Sequence, residues 1–533
     1  MALREGVKGV SPIGDSRADQ ADGSWVREAL SVVWFDLVMA VAAVRPKMLV
    51  VRSPHMLRQS VAPACRRTRE PDVPGFGVLQ SLRIVKRAAL WGFLAAGCWA
   101  AAAERTVGPG KDFARIEDAY AAAAPGDVIL VYPREGGEPY ETTALLVKKP
   151  RLTFRGVTQV ISASVGGNSQ SLVRVSGKGF DYSGRGRTPR AVFQFDPEAD
   201  GCVLEGFEIF GAHNDSHNGA GVRINQADSV VIRGCRIHGN DMGIMSNGDG
   251  SPAAGVDQRI EKCIIYGNGD PADPGYNHNL YLGGASVRLR FCEIYGSLTG
   301  HNVKSRAHHT WVECCYIHDS ANRELDLVDA AETTIPESHA VLWGNIIAKN
   351  PRCSGNRGVI HFGQDGGKGR NGTLFLYFNT IVTPFISPVI ELSTPEAKAR
   401  MIGNLVSDGG SRQSGQSLIA MRGGAEPVGC LAVDNWFTGS FAVRWDSLAS
   451  REDNSFAWAW PLFADSAGGD FRLIRRSVPP DLPAYPSDKI VIPAFLGEES
   501  QAEPAAWRYV HPASGEARSD RQQPIFGAQP IFE

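Results

Sequence analysis

Neither sign of charge dominates this chain. Its 55 Lys and Arg nearly balance 57 Asp and Glu. No basic stripe crosses the main body, so nucleic acid is excluded as an expected partner. Gly (59) and Pro (32) are too few among 533 residues for a disordered chain, yet frequent enough for many turns. Apolar runs long enough to span a membrane are absent: 29–44 contains Asp36, and 88–103 stops at 16 residues. Ten cysteines occur, at spacings that match no zinc motif.

Residues 1–80 show no steady hydrophobic period and read as an unstructured or mis-assigned N-terminal extension. Residues 81–103 join Arg83, Lys86 and Arg87 to a short apolar core and to Ala101, Ala102 and Ala103, the three parts of a secretory signal. A signal belongs at an N-terminus, so the expected start lies downstream of Met1, for example at Met48 or Met56. The expected location is secreted or periplasmic, with membrane contact only through this signal or anchor. Cys98, within Leu94-Ala95-Ala96-Gly97-Cys98, makes lipoprotein anchoring the lesser alternative.

What the chain does have is repetition. His278-Asn279-Leu280-Tyr281-Leu282 and His301-Asn302-Val303-Lys304-Ser305 lie 23 residues apart, and each alternates apolar with polar side chains. That separation exceeds a tight hairpin and suits successive turns of a solenoid. One ladder aligns Ile209, Ile237, Ile265, Ile294, Ile317, Ile347 and Ile381, at intervals of 28, 28, 29, 23, 30 and 34. A second aligns Val222-Arg223-Ile224, Ile244-Met245-Ser246, Leu280-Tyr281-Leu282, Val303-Lys304-Ser305, Leu325-Asp326-Leu327, Ile360-His361-Phe362, Ile390-Glu391-Leu392 and Ile419-Ala420-Met421. Strands keep register while loops absorb the variable intervals. The outer members of each triplet are expected inside and the middle members outside.

Cys235, Cys263, Cys292 and Cys315 share one inward position, which predicts a column of buried thiols. Asn345 and Asn379 follow at that position and predict an amide ladder. Asp112 is expected to cap a helix over 113–123 that covers one end of the stack, and the second cap is expected after residue 430, where the period fades. The expected fold is all-β: a single right-handed parallel β-helix (solenoid) over 104–430 with an N-terminal capping helix. Irregular turns and a cap follow over 431–533, and a monomer is expected.

The outward row reads Arg223, Met245, Tyr281, Lys304, Asp326, His361 and Glu391. Asn279, Asn302 and Glu324 flank it two residues earlier, His278 and His301 stand beside them, and Arg306 follows Lys304 by two. Tyr281, Lys304, Arg306, His308 and His309 form a cluster. Such a face suits an extended sugar chain: an aromatic ring to stack on, cations for carboxylates, amides for hydroxyls. In β-elimination on a uronate, Lys304 is the candidate base, Tyr281 the acid, and Arg306 or His301 neutralises the carboxylate. In glycoside hydrolysis, Glu324 and Asp326 form the carboxylate pair, with Asp329 as a third candidate. The remaining alternative is a carbohydrate-binding or cell-surface protein without chemistry. No metal site is expected from His278, His301, His308 and His309, because the adjacent His308 and His309 face different ways on a strand.

Gly108-Pro109-Gly110-Lys111-Asp112-Phe113, a helix, then Pro125-Gly126-Asp127-Val128-Ile129 resembles the N-terminal opening of secreted right-handed parallel β-helix proteins of the pectate-lyase-like superfamily. Gly300-His301-Asn302-Val303-Lys304-Ser305 resembles the catalytic-lysine strand of the chondroitinase B and alginate lyase family. That resemblance implies a polysaccharide lyase with Lys304 as base, a polysaccharide substrate and calcium as a cofactor. The family's acidic calcium ligands precede the lysine strand, where 295–300 has none, and its partner arginine lies on the next turn, where this chain has Asp326.

Overall fold

The structure, a computed structural model, describes residues 102–533 except 161–169, 275, 354, 412–415, 439–440, 443–453, 458–460, 479–489, 497–506, 519–526, 530 and 533. The expected extension over 1–80 and nearly all of the signal-like segment lie outside the described residues.

From Glu104 onward the chain coils through three parallel sheets of 12, 11 and 10 strands. From Val173–Ser176 onward, each turn of the coil adds one short strand to each sheet. Gln258–Glu261 joins the first, Ile264–Tyr266 the second and Leu280–Leu282 the third, before Ser286–Arg290 returns to the first. This is the parallel β-helix that the two ladders predict. The isoleucines pair in register from Ile209 to Ile381. All seven are fully buried, so burial of one apolar side chain per rung locks the stack.

The chain passes from the first sheet to the second through one residue in the left-handed region, among them Gly206, Gly234, Lys262, Phe291, Cys314, Gly344 and Phe378. The residue after this corner points inward in successive rungs. Cys235, Cys263, Cys292 and Cys315 occupy it as free, buried thiols. Asn345, Asn379, Asn404 and Asn435 continue it as an amide ladder. Asn345 Nδ2 donates to Asn379 Oδ1 at 3.0 Å, Asn379 to Asn404 at 3.0 Å and Asn404 to Asn435 at 2.8 Å. Each amide also donates to a backbone carbonyl, so no buried polar group goes unmatched here.

Helix α1 spans Ile116–Ala122 and buries Ile116 and Ala119 in the core at the N-terminal end of the stack. Its N-cap is Arg115, not Asp112. Asp112 instead accepts a hydrogen bond from Thr106 Oγ1 at 2.7 Å, which ties the preceding loop rather than the helix.

Beyond the sheets, Phe463–Asp465 pairs antiparallel with Asp470–Ile474, and Trp507–Val510 with Ser514–Ala517. The described parts of 461–532 run back along the outside of the coil, where a closing cap was expected. Phe471 and Tyr509 pack on Phe291, Tyr316 and Ile346, and Leu496 packs with Trp311 and Trp343. The outward members of the second sheet explain this. Tyr316, Ile346, Leu405 and Trp436 are apolar and need cover.

Candidate functional site

The third sheet carries the candidate site, and its register matches the ladder residue for residue. Arg223, Met245, Tyr281, Lys304, Asp326, His361 and Glu391 stand side by side on successive rungs. Their inward neighbours, including Leu280, Leu282, Val303, Leu325 and Leu327, are wholly buried and hold the row in place.

Asn279, Asn302 and Glu324 do not flank this row. Strict alternation fails just before each strand, where two successive residues, such as Asn279 and Leu280, both turn inward. All three polar residues are fully buried. Asn268 Nδ2 donates to Asn279 Oδ1 at 2.9 Å, Asn279 to Asn302 at 2.8 Å and Asn302 to Glu324 Oε2 at 2.6 Å. Glu324 ends this second polar ladder facing Lys349 at 3.5 Å, with both side chains shielded from water. Burial pushes its carboxyl up to about 7 despite Lys349 beside it. A carboxylate walled inside the coil cannot reach a sugar, so the Glu324–Asp326 hydrolase pair is not assembled.

The same kink places His278, His301 and Arg323 over the outer face. The His278 ring stacks on Tyr281, with centroids 5.6 Å apart, and on His301 at 5.1 Å. Burial, then the nearby His301 and Lys304, keep His278 neutral, well below the usual imidazole range. Burial likewise brings His301 down to about 3, outweighing Asp326, whose Oδ2 lies 3.3 Å from its Nε2. His301 is therefore a neutral ring and a weak base.

Lys304 is not placed to act as a base. It is 4% exposed. Its Nζ lies 2.8 Å from Asp365 Oδ2 and 3.6 Å from Asp326 Oδ2. Burial favours the neutral amine, but Asp326 and Asp365 outweigh it and hold the ammonium charged, above the usual lysine range. Arg306 Nη2 reaches the same Asp365 oxygen at 2.6 Å. Its guanidinium lies 5.9 Å from the centre of the Tyr281 ring. Two cations thus converge on one carboxylate oxygen next to Tyr281.

Asp365 was not visible as a site residue in the sequence. It arrives on the loop after Ile360–Gly363, and Asp329 holds that loop. The Asp329 carboxylate accepts the backbone N–H groups of Asp365 and Gly366 at 2.6 Å, Lys368 at 2.5 Å and Gly369 at 3.0 Å. Burial opposes its charge, but these four donors keep it ionised below the usual range. Asp329 is thus a loop anchor, and its role as a third hydrolytic carboxylate is not supported.

Asp326 is the hub of the face. Its Oδ1 meets His361 Nδ1 at 2.8 Å and Arg323 Nη1 at 3.4 Å. Burial works against its charge, but the His301 and His361 rings and Lys304 hold it well below the carboxylate range. Arg323 also reaches Glu391 at 3.4 Å. Arg323 escaped the sequence reading because it precedes its strand by two residues; its one signal is its adjacency to Glu324-Leu325-Asp326.

Arg223 sits at the far end of the row, donates to Asn247 Oδ1 at 3.0 Å, and is brought down to about 10 by burial, which leaves it charged at neutral pH. His308 and His309 do not join Tyr281. They sit where the first sheet begins its next strand, His308 Nδ1 donating to the Glu332 carbonyl and His309 Nε2 to the Glu337 carbonyl, and His309 stacks on Phe495. The residues present do not fit calcium. The carboxylates nearest Lys304 are already matched to cations and backbone donors, and among the described residues no group of three or more His, Cys, Asp and Glu could hold a metal.

No protein-family model matches the chain, and no curated protein sequence does. Among solved structures, pectate lyase Pel9A aligns at 11% identity over 81% of this chain and 98% of its own, with a TM-score of 0.40. DFA-IIIase from Arthrobacter chlorophenolicus A6 aligns at 13% identity over 66% of this chain and 98% of its own, with a TM-score of 0.42. At these identities and TM-scores neither likeness carries a family or a reaction to this chain.

Proposed function

We propose that this chain is a carbohydrate-active β-helix enzyme that cleaves a uronate-containing polysaccharide by β-elimination. The observation that supports this most is the Asp365 carboxylate held between Lys304 and Arg306 at 2.8 and 2.6 Å, on the rung beside Tyr281. A uronate carboxylate presents the same group, and a cation pair of this kind would neutralise it and stabilise the enolate-like charge of the transition state. In this reading Lys304 and Arg306 bind the carboxylate, and Tyr281, whose ring is steered by His278, takes the proton α to it and hands that proton to the glycosidic oxygen as the carbon–oxygen bond breaks and the double bond forms. The substrate carboxylate replaces Asp365 at the cations.

The experiment is incubation with a panel of uronate polymers, reading the ultraviolet absorbance of the unsaturated uronate product. That absorbance is expected, and expected to vanish in Tyr281→Phe. Reducing ends released without absorbance would instead indicate hydrolysis.

A further inference from the structure

His361 is not needed for elimination, yet both of its ring nitrogens are hydrogen-bonded to side chains of this face. Its Nδ1 meets Asp326 Oδ1 at 2.8 Å, and its Nε2 meets Ser393 Oγ at 2.7 Å. Asp326 is held ionised, so it accepts from Nδ1–H and leaves the Nε2 lone pair directed at the serine. Ser393 Oγ in turn accepts the backbone N–H of Gln364 at 2.7 Å, which leaves its own proton to point at Nε2. The three residues come from three successive rungs of the third sheet: Asp326 and His361 are register partners, and Ser393 directly follows the strand Ile390–Leu392.

We propose that Asp326, His361 and Ser393 form a serine-hydrolase triad that removes acyl groups esterified to sugar hydroxyls. A nucleophilic serine needs a base within hydrogen-bond reach and a third group that fixes the base's tautomer, and both contacts are present. The approach is a built one. A Cβ on residue 363 would lie 2.3 Å from Ser393 Oγ, so only Gly363, at φ +150°, lets the loop pass this close. Ser393, His361 and Asp326 keep 8%, 5% and 2% of their surface exposed, so exposure falls from the nucleophile to the acid.

The step balances without any group beyond water. Ser393 Oγ bonds to the acyl carbon as its proton passes to His361 Nε2. The tetrahedral intermediate collapses, the bond from the acyl carbon to the sugar oxygen breaks, and that oxygen takes the proton from Nε2. Water then repeats the sequence on the acyl-serine, releasing the carboxylic acid and restoring Ser393. The choice of a sugar ester as substrate rests on the proposed carbohydrate function; the triad does not.

The test uses the whole chain and two probes that contain no uronate, so a failed elimination leaves it intact. A fluorophosphonate is expected to modify Ser393, located by peptide mass mapping. Acetic acid is expected from an acetylated neutral glycan and from p-nitrophenyl acetate, at a rate at least ~100-fold lower in Ser393→Ala. The thermal midpoint of Ser393→Ala is read alongside to show that it folds. Modification of another serine alone, no modification at all, or acetate release that survives in folded Ser393→Ala overturns the proposal.

Discussion

Tyr281 and Lys304 are direct register partners on adjacent rungs, yet Tyr281 remains partly exposed while Lys304 lies beneath Asp365. The tyrosine is offered to solvent and the cation is kept covered. Asp365→Asn keeps a hydrogen-bonding side chain but removes the internal carboxylate. It is expected to lower KM for a uronate polymer about tenfold, equivalent to ~1.4 kcal/mol of binding. Initial rates and calorimetric titration with a uronate oligomer measure this, and an unchanged or raised KM would count against Asp365 as an internal competitor.

Tyr281→Phe separates chemistry from packing. The ring can still stack on His278, while the hydroxyl is lost. A fall in kcat of roughly 10²–10⁴ is expected for removal of a proton-transfer group, with little change in the thermal midpoint. A variant that keeps full kcat would move the proton transfer to another residue.

Glu324→Ala is expected to act through the fold. It strands Lys349, whose side chain is wholly shielded, and removes the acceptor of Asn302. Breaking one partner of a buried pair costs about 3–5 kcal/mol. Chemical denaturation measures the loss. A stable Glu324→Ala protein with abolished turnover would restore Glu324 to the site.

The two inward columns should respond unequally. Asn379→Ala removes the oxygen that accepts from both the backbone and the side-chain N–H of Asn345, and the donor to the Leu342 carbonyl, inside the coil, at ~1–3 kcal/mol for each group left unsatisfied. Cys263→Ala removes only a small, weakly polar group, at roughly 1 kcal/mol. Denaturant midpoints of the two variants give the comparison, and equal losses would contradict the amide ladder as a hydrogen-bonded unit.

Acid should weaken the fold through its neutral histidines. His301 titrates at about 3 in the folded chain against an ordinary 6.5. As pH falls from 6.5 toward 3, the unfolded chain takes up a proton that the folded chain refuses, so stability drops across that window and is complete above it. Glu324, raised to about 7 from 4.5, works in the opposite direction and loses stabilisation as pH rises through 7. The informative quantity is therefore the difference between wild type and His301→Gln. The variant is expected to show a shallower decline in thermal midpoint between pH 6.5 and 4.

Much of this architecture is legible in the chain because each rung repeats one physical demand. An apolar pair such as Leu280 and Leu282 must face the core, and that alone fixes Tyr281, then Lys304 and Asp326, on the outside in register. The rule breaks where the backbone bends. At Asn279 and Glu324 a period of two points the side chain outward, while the kink before the strand turns it in. Only the unbroken run of amides at Asn240, Asn268, Asn279 and Asn302 hints at an internal polar chain. Asp365 was hidden for another reason. It lies 61 residues from Lys304 on an irregular loop, and nothing local to either residue encodes their meeting. The wrap of the C-terminal segments was readable in retrospect from Tyr316, Ile346, Leu405 and Trp436, apolar side chains at positions where a solvated strand would carry polar ones.

That wrap changes how such a molecule should come apart. In a bare linear stack each rung answers only to the next, and the ends can peel while the middle stands. Here Phe471, Tyr509 and Ala528 grip Phe291, Tyr316 and Ile346, so distant parts of the polypeptide share one seam. Loosening the tail uncovers several rungs at once, and the coil is thereby turned from a zipper into a single knot that holds or fails as a whole.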